Sequence, residues 1–325
     1  MNDADAIFNP LSYLLNLHSL RTLFPDSADF SCSAVVSTIA QSLSENLKMT
    51  GPFLVANQDH LRQVVQTVIS LITKKHPCQA DFAEEELDLE DMDSTELEWL
   101  VIDSAMDVIS GLATALGPTF GELWKIFEKP VLRYASGAES LGRASACGVL
   151  SEIIVGMDDA VTPLTNKLMA ILLKRMSDED DQTKSNAAYA VGRLVEKSQD
   201  SSALSKSYPT ILNKLENLLT ISNARCKDNA AGCVARLILK NKSAVPLGDV
   251  LPSLVNILPL KDDYQENEPV WKMVINLYRE QDSHIVGMTQ KLAPIMLSVL
   301  GEPEEQLTDE VRIELNQLVD HLKNM

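Results

Sequence analysis

The sequence predicts an all-α fold in which pairs of helices recur at a fixed spacing. Residues 184–197 read KSNAAYAVGRLVEK and residues 227–240 read KDNAAGCVARLILK, with eight of fourteen positions identical. A second marker has nearly the same period, because four internal prolines lie 46, 43 and 42 residues apart: Pro163, Pro209, Pro252 and Pro294. The 325 residues are 45% hydrophobic with only 13 glycines and 14 prolines, which favours helices over a turn-rich β-protein.

Each repeated helix has one apolar stripe. In the first copy the stripe has helical spacing and consists of Ala187, Val191, Leu194 and Val195. One helix pair buries only one such stripe, so pairs must stack on each other to close a core. A period of 40–47 residues is typical of HEAT or armadillo arrays. We therefore predict an α-α superhelix, a HEAT-repeat solenoid of about seven helix pairs.

The elements follow from the same patterns, taken in order. Proline-containing helices alternate with helices of the repeated type, whose marker leucines are Leu150, Leu194 and Leu237. Before about residue 95 the period fades, and the helices there are predicted from local amphipathicity alone. The predicted helices lie near residues 10–22, 30–47, 57–75, 95–116, 119–135, 139–156, 160–177, 182–198, 203–220, 225–240, 246–259, 266–281, 284–301 and 307–322.

Three segments are predicted along the chain. Residues 1–76 form HEAT-like helices with weak repeats, 77–95 form an acidic insert loop, and 96–325 form one continuous solenoid of HEAT repeats. The insert belongs to the stretch 81–98, DFAEEELDLEDMDSTELE, which has ten acidic residues and no basic one. Such a block is typical of a disordered, solvated loop, and it would attract basic partners.

The net charge of the chain also favours basic partners. A formal net charge of −18 repels nucleic acid and favours basic partners, although it is also what a merely soluble acidic protein would have. No secretory signal or membrane-spanning stretch is recognisable, so we expect a soluble, intracellular monomer. The five cysteines and five histidines are scattered, and no P-loop, GxGxxG, HExxH or GxSxG pattern occurs. We therefore expect no enzyme activity, no metal and no cofactor.

The candidate binding residues lie on the helices that would line a concave wall. Near residue 100, helical spacing stacks the carboxylates Glu96, Asp103 and Asp107 on one stripe, where they would accept lysine or arginine. The later helices contribute the remaining candidates, Asn186, Tyr189, Asp228, Asn229 and Trp271. An asparagine amide can hold a peptide backbone with a donor and an acceptor. Three alternatives remain open: the asparagines brace neighbouring helices, the carboxylates form an ordinary solvated face, and Trp271 packs in the core.

Four stretches also resemble a known family. They are GRASACGVLSEII (142–154), TKSNAAYAVGRLVEK (183–197), RCKDNAAGCVARLILK (225–240) and VNILPLKDDYQENEPVW (255–271), which resemble the C-terminal HEAT repeats of the importin-β (karyopherin-β) family. The resemblance implies a nuclear import receptor that shuttles between cytoplasm and nucleus. It implies basic cargo such as core histones and ribosomal proteins, nucleoporin Phe-Gly repeats as pore contacts, and Ran-GTP as the releasing partner of a full-length receptor. The family's principal Ran-binding repeats are missing from this sequence.

A second function remains open at this point. A HEAT array can also be a scaffold for a phosphatase, adaptor or chromosome-associated complex, holding folded partners by apolar edges. The receptor hypothesis predicts salt-sensitive binding of short lysine-rich nuclear localisation segments, whereas the scaffold hypothesis predicts salt-insensitive binding of large partners.

Overall fold

The structure is a computed structural model that describes residues 32–79, 92–303 and 306–323. Within these ranges every regular element is an α-helix or a short 3₁₀-helix, and no strand occurs. The all-α prediction is confirmed for this part of the chain. The predicted helix at 10–22 and most of the acidic insert, residues 80–91, lie outside the described residues.

The helix bounds agree with the sequence prediction to within a few residues at most ends. In chain order the α-helices are α1 Cys32–Leu54, α2 Gln58–Ile72, α3 Met92–Leu116, α4 Gly121–Ala135, α5 Ser140–Met157, α6 Thr165–Arg175, α7 Asp181–Lys197, α8 Ser201–Thr220, α9 Ala224–Asn241, α10 Leu247–Ile257, α11 Asn267–Arg279, α12 Ser283–Val286, α13 Thr289–Gly301 and α14 Asp309–Lys323. The predicted helix at 284–301 is divided into α12 and α13 at Gly287. Glycine destabilises the interior of a helix. Helix α3 begins at Met92, inside the predicted insert.

The chain divides into two compact units, the first ending at Val161 and the second beginning at Thr162. In the first unit, α1, α3 and α5 pack in succession as one row, while α2 packs against α4 in another. The core between these rows includes Leu43, Met106 and Leu150, all fully buried. Helices of one kind therefore stack on each other, as the repeat predicted. The predicted continuity of 96–325 as a single solenoid stays a prediction.

The second unit repeats this two-row packing. Helices α7, α9, α11 and α14 form one row, and α6, α8 and α10 form the other. The apolar stripe predicted for α7 is confirmed, because all four of its residues are fully buried, and Leu237 of α9 is buried likewise. The repeat also extends to the helix starts. Asp180 caps α7 by accepting the Thr183 N–H at 2.7 Å, and Asn223, 43 residues later, caps α9 by accepting the Cys226 N–H at 2.9 Å.

One helical stretch of the described chain, Glu96–Ala135, is long and apolar enough to cross a membrane by length and composition. Of its most apolar window, 61% is buried inside the chain. Helix α3, which makes up much of this stretch, packs against α1 and α5. Buried core helices pass the same test of length and hydropathy, so the finding is weak evidence for a membrane span.

Candidate functional site: a carboxylate stripe and a polar pocket

The first group of candidates lies on α3 in the first unit. Glu96 is exposed, and Asp103 and Asp107 are half-buried one turn apart on the same helix. The Ser145 hydroxyl of α5 donates to the Asp103 carboxylate at 2.5 Å. Asp103 is therefore held against the neighbouring helix and still partly exposed. We call Glu96, Asp103 and Asp107 the α3 carboxylates.

The charged groups that act on Asp107 are mostly acidic. Burial raises the pKa of the Asp107 carboxyl, the Asp103 and Glu152 carboxylates raise it further, and Lys48 lowers it. Glu152, on α5, was not among the predicted residues. A sequence signal existed, because Glu152 follows its marker Leu150 by two positions, as Glu196 follows Leu194.

The asparagines of the second unit differ in their surroundings. Asn229 is only 2% exposed, and its amide donates to the Ser185 hydroxyl at 2.9 Å, joining α9 to α7. This contact is the one that the bracing alternative predicted. Asn186 is half-buried and accepts a hydrogen bond from Gln182 at 2.9 Å, so it remains within reach of a ligand.

Two further candidates, Asp228 and Trp271, are interior residues in this structure. Asp228 is 2% exposed, and one of its oxygens accepts the backbone N–H groups of residues 261–263 at 2.7 to 3.0 Å. Trp271 is 0% exposed and its indole N–H donates to Asn267 at 3.3 Å, so it packs in the core, as the alternative stated. Both side chains are occupied by contacts within the chain, whereas Asn229 uses only its amide nitrogen and its Oδ1 has no hydrogen-bond partner.

Tyr189 lies at the edge of an ionic network that joins successive repeats. Its ring faces the guanidinium groups of Arg193 and Arg236, whose central carbons are 5.9 and 5.5 Å from the ring centroid. Both arginines also donate to the same Glu196 oxygen, at 2.9 and 3.1 Å. One carboxylate of α7 therefore bridges a cation of its own helix and a cation of α9.

The centre of this network is a buried ion pair. Arg236 is 5% exposed and Glu266 is 0% exposed, and they form two hydrogen bonds of 2.5 and 2.8 Å. Burial raises the pKa of the Glu266 carboxyl, an effect that Arg236 opposes. Gly232 makes this possible, because a Cβ atom there would lie 1.4 Å from a Glu266 oxygen. The equivalent position one repeat earlier holds Tyr189. The two copies of the helix therefore differ at the position beside which the Arg236–Glu266 ion pair lies.

These residues line a pocket of about 640 Å³ in the second unit. Its lining includes Tyr189, Arg193, Glu196, Arg236, Leu239, Lys240, Tyr264, Glu266, Glu268 and Lys272. Of the predicted site residues, it contains Tyr189 alone. The sequence did carry a signal for it, since Arg193, Arg236 and Arg279 recur at intervals of 43 residues and each pairs with a carboxylate. Within the described ranges no group of three His, Cys, Asp or Glu side chains is arranged to hold a metal ion.

Comparison with known sequences finds relatives of one kind. No protein-family model matches the chain. The chain is 36% identical over 268 residues to the probable importin subunit beta-4 of Schizosaccharomyces pombe, a match that covers 80% of this chain and 25% of the relative. It is 25% identical over 274 residues to importin-4 of Homo sapiens, covering 82% of this chain and 25% of the relative. The chain thus spans about a quarter of the length of the curated relatives it matches.

Solved structures show the same kind of fold. A Kap121p mutant aligns with a TM-score of 0.66 at 13% identity, covering 96% of this chain and 27% of that chain. Kap121p bound to Nup53p aligns with a TM-score of 0.53 at 16% identity, covering 97% of this chain and 29% of that chain. Kap121p bound to RanGTP aligns with a TM-score of 0.52 at 16% identity, covering 99% and 34%. The predicted HEAT-repeat fold class is confirmed by this likeness.

The sequence relatives and the structural neighbours therefore point to the same kind of protein. The relatives are importin-4-type proteins, the type that the repeats resemble. The chain is therefore similar, in sequence and in fold, to part of the importin-β-type receptors.

Proposed function

We propose that this chain is a cargo-binding region of a nuclear import receptor and that it binds lysine-rich segments of basic proteins. The observation that carries the proposal is the set of neighbouring carboxylates Asp103, Asp107 and Glu152. Partial burial raises the pKa of the Asp107 carboxyl, repulsion from the Asp103 and Glu152 carboxylates raises it further, and Lys48 offsets the effect only in part. A ligand ammonium group would supply positive charge beside these carboxylates and would replace the solvent cations that otherwise lie near them.

The energetics are consistent with several lysines acting together. Each ion pair at a partly exposed wall contributes about 0.5 to 1 kcal/mol, whereas micromolar affinity requires about 8 kcal/mol. The three α3 carboxylates therefore provide a part of the affinity and much of its salt dependence. We propose that Asn186, in the second unit, separately contacts a peptide backbone through its amide.

The wider role follows from the family. As a region of an importin, the chain would act in a receptor that shuttles between cytoplasm and nucleus, contacts nucleoporin Phe-Gly repeats and releases its cargo when Ran-GTP binds. Kap121p, which shares the fold, has been solved bound to Nup53p and bound to RanGTP. We propose core histones and ribosomal proteins as cargo, because their lysine-rich segments match the excess of 46 acidic over 28 basic residues. We assign the chain no affinity for nucleic acid or membranes.

The test is the double variant Asp103→Lys with Asp107→Lys, titrated with a fluorescein-labelled histone-tail peptide and read by anisotropy. We expect at least a tenfold loss of affinity at 50 mM salt, a smaller loss at 300 mM, and a nearly unchanged melting temperature. The control is Glu122→Lys with Glu139→Lys, which changes the net charge equally at exposed positions of the same unit. Equal binding by the two double variants, or by a peptide with glutamine for lysine, would refute the proposed site.

A further inference from the structure

The pocket of the second unit has a charge that contrasts with the rest of the chain. Its lining contributes four cations and three carboxylates, Arg193, Arg236, Lys240 and Lys272 against Glu196, Glu266 and Glu268. The chain as a whole has a net charge of −18. A locally cationic pocket on an acidic protein is not explained by the binding of basic cargo, since it would repel lysine-rich segments.

The pairing within the pocket shows where positive charge is left over. Glu266 is committed to Arg236 by two hydrogen bonds at a fully buried position. Glu196 is the single carboxylate that Arg193 and Arg236 share through one oxygen. Three cations, counting Lys240, therefore surround two carboxylates.

Two donors in the pocket lack an anionic partner. The Lys240 ammonium group donates to the backbone oxygen of Glu196 at 3.0 Å, and no carboxylate of the described chain forms an ion pair with it. The Nε–H of Arg193 is buried and has no hydrogen-bond partner. Buried donors are nearly always paired, so an unpaired one at a pocket wall points to a missing acceptor.

We propose that this pocket binds an anionic side chain of a partner peptide, a carboxylate or a phosphate, between Arg193 and Lys240. The anion would accept a hydrogen bond from the Lys240 ammonium group, which has further N–H groups besides the one bonded to Glu196, and from the Arg193 guanidinium group. A charge-assisted bond of this kind is stronger than a neutral one. Tyr189, Leu239 and Tyr264 line the same pocket and offer apolar surface for the rest of the side chain. A volume of about 640 Å³ is sufficient for one or two peptide residues.

This inference goes beyond the proposed cargo site and is independent of it. The α3 carboxylates and the pocket lie in different units, take ligands of opposite charge and share no residue. A partner segment with an acidic or phosphorylated residue would therefore bind the second unit even if the α3 carboxylates bound nothing.

The test is an NMR titration of the whole chain, which reads the Arg193 Nε–H signal directly and is assigned with Arg193→Lys. The probe is the peptide Gly-Ser-Gly-Glu-Glu-Gly-Ser-Gly, compared with the same peptide carrying glutamine or phosphoserine in place of glutamate. We expect the Arg193 signal to shift and saturate with either anionic peptide and not with the glutamine peptide. Stronger binding of the phosphoserine or of the glutamate peptide identifies which anion the pocket prefers.

Three variants decide whether the pocket is responsible. Lys240→Gln should weaken binding of the glutamate peptide about fivefold, since it removes one charge-assisted donor. Lys206→Gln, which changes the net charge equally at an exposed position of α8, should leave the affinity within about twofold. Glu196→Gln should strengthen binding about fivefold, because it removes one negative charge from the pocket wall and leaves the Arg193 guanidinium group without its carboxylate, and a merely misfolded protein would not gain affinity. Equal affinity for the glutamate and glutamine peptides, or equal effects of Lys240→Gln and Lys206→Gln, would overturn the proposal.

Discussion

Removing Arg236 tests the energetics of the network that joins the repeats. In Arg236→Gln the Glu266 carboxylate, which is 0% exposed in the parent protein, loses both of its bonds to the guanidinium group. Breaking one side of a buried ion pair costs about 3 to 5 kcal/mol, to which the lost contact with Glu196 adds little because that carboxylate is partly exposed. For a unit of this size the loss corresponds to a melting temperature lower by roughly 10 °C.

The pH dependence gives this prediction a sign. Burial raises the pKa of the Glu266 carboxyl above its ordinary value of 4.5, so the folded state binds the proton more readily than the unfolded state. The stability contributed by Glu266 is thus lost as pH rises from about 4.5 through the raised pKa. Arg236 lowers that pKa, and its removal raises it further. The destabilisation by Arg236→Gln should therefore be smaller at pH 5 than at pH 8.

The assay is urea unfolding followed by circular dichroism at both pH values. A matched control is available one repeat later, where Arg279 pairs with Glu314 at 3.1 Å in a largely exposed position. Arg279→Gln should change the unfolding free energy by less than about 1 kcal/mol at either pH. If Arg236→Gln were no more destabilising than Arg279→Gln, or equally destabilising at pH 5 and pH 8, the reasoning would be refuted.

Three further outcomes are expected. Asp228→Ala leaves three backbone N–H groups of the 261–263 turn without their acceptor and should lower the unfolding free energy by at least about 2 kcal/mol, measured by urea unfolding. Gly232→Ala places a methyl group on the Glu266 carboxylate and should cost about 1 to 3 kcal/mol, while the same change at exposed Gly301, whose added Cβ meets nothing within 4 Å, should not destabilise. Burial raises the pKa of the Cys233 thiol to about 12, so at pH 8 it should react with a disulfide reagent only after unfolding, and rapid reaction of the native protein would contradict this.

Much of the fold was predictable because repetition averages out local uncertainty. The apolar stripe containing Leu194 recurs in α9, and a stripe written twice at a 43-residue offset is a stronger signal than any single helix propensity. The division of 284–301 at Gly287 was missed, since a single glycine within an apolar pattern does not determine whether a helix ends.

The candidate site was predicted less well, for a physical reason. Helical spacing fixed the neighbourhood of Asp103 and Asp107, because one helix determines both positions. Helical spacing did not predict the burial of Asp228 and Trp271, since it depends on the 261–263 turn and on packing between helices far apart in sequence. The same limit hid Glu266, whose partner lies 30 residues away.

The sharing of Glu196 between two arginines has a consequence for how this chain can be shortened. A fragment that ended after α9 would retain Arg236 and lose Glu266, and one that began at α8 would retain Arg236 and lose Glu196. Either cut leaves a guanidinium group at a new terminal surface with less than its full set of carboxylates. Deletion series across this region should therefore show solubility falling at cuts that separate these partners, and not simply in proportion to the length removed.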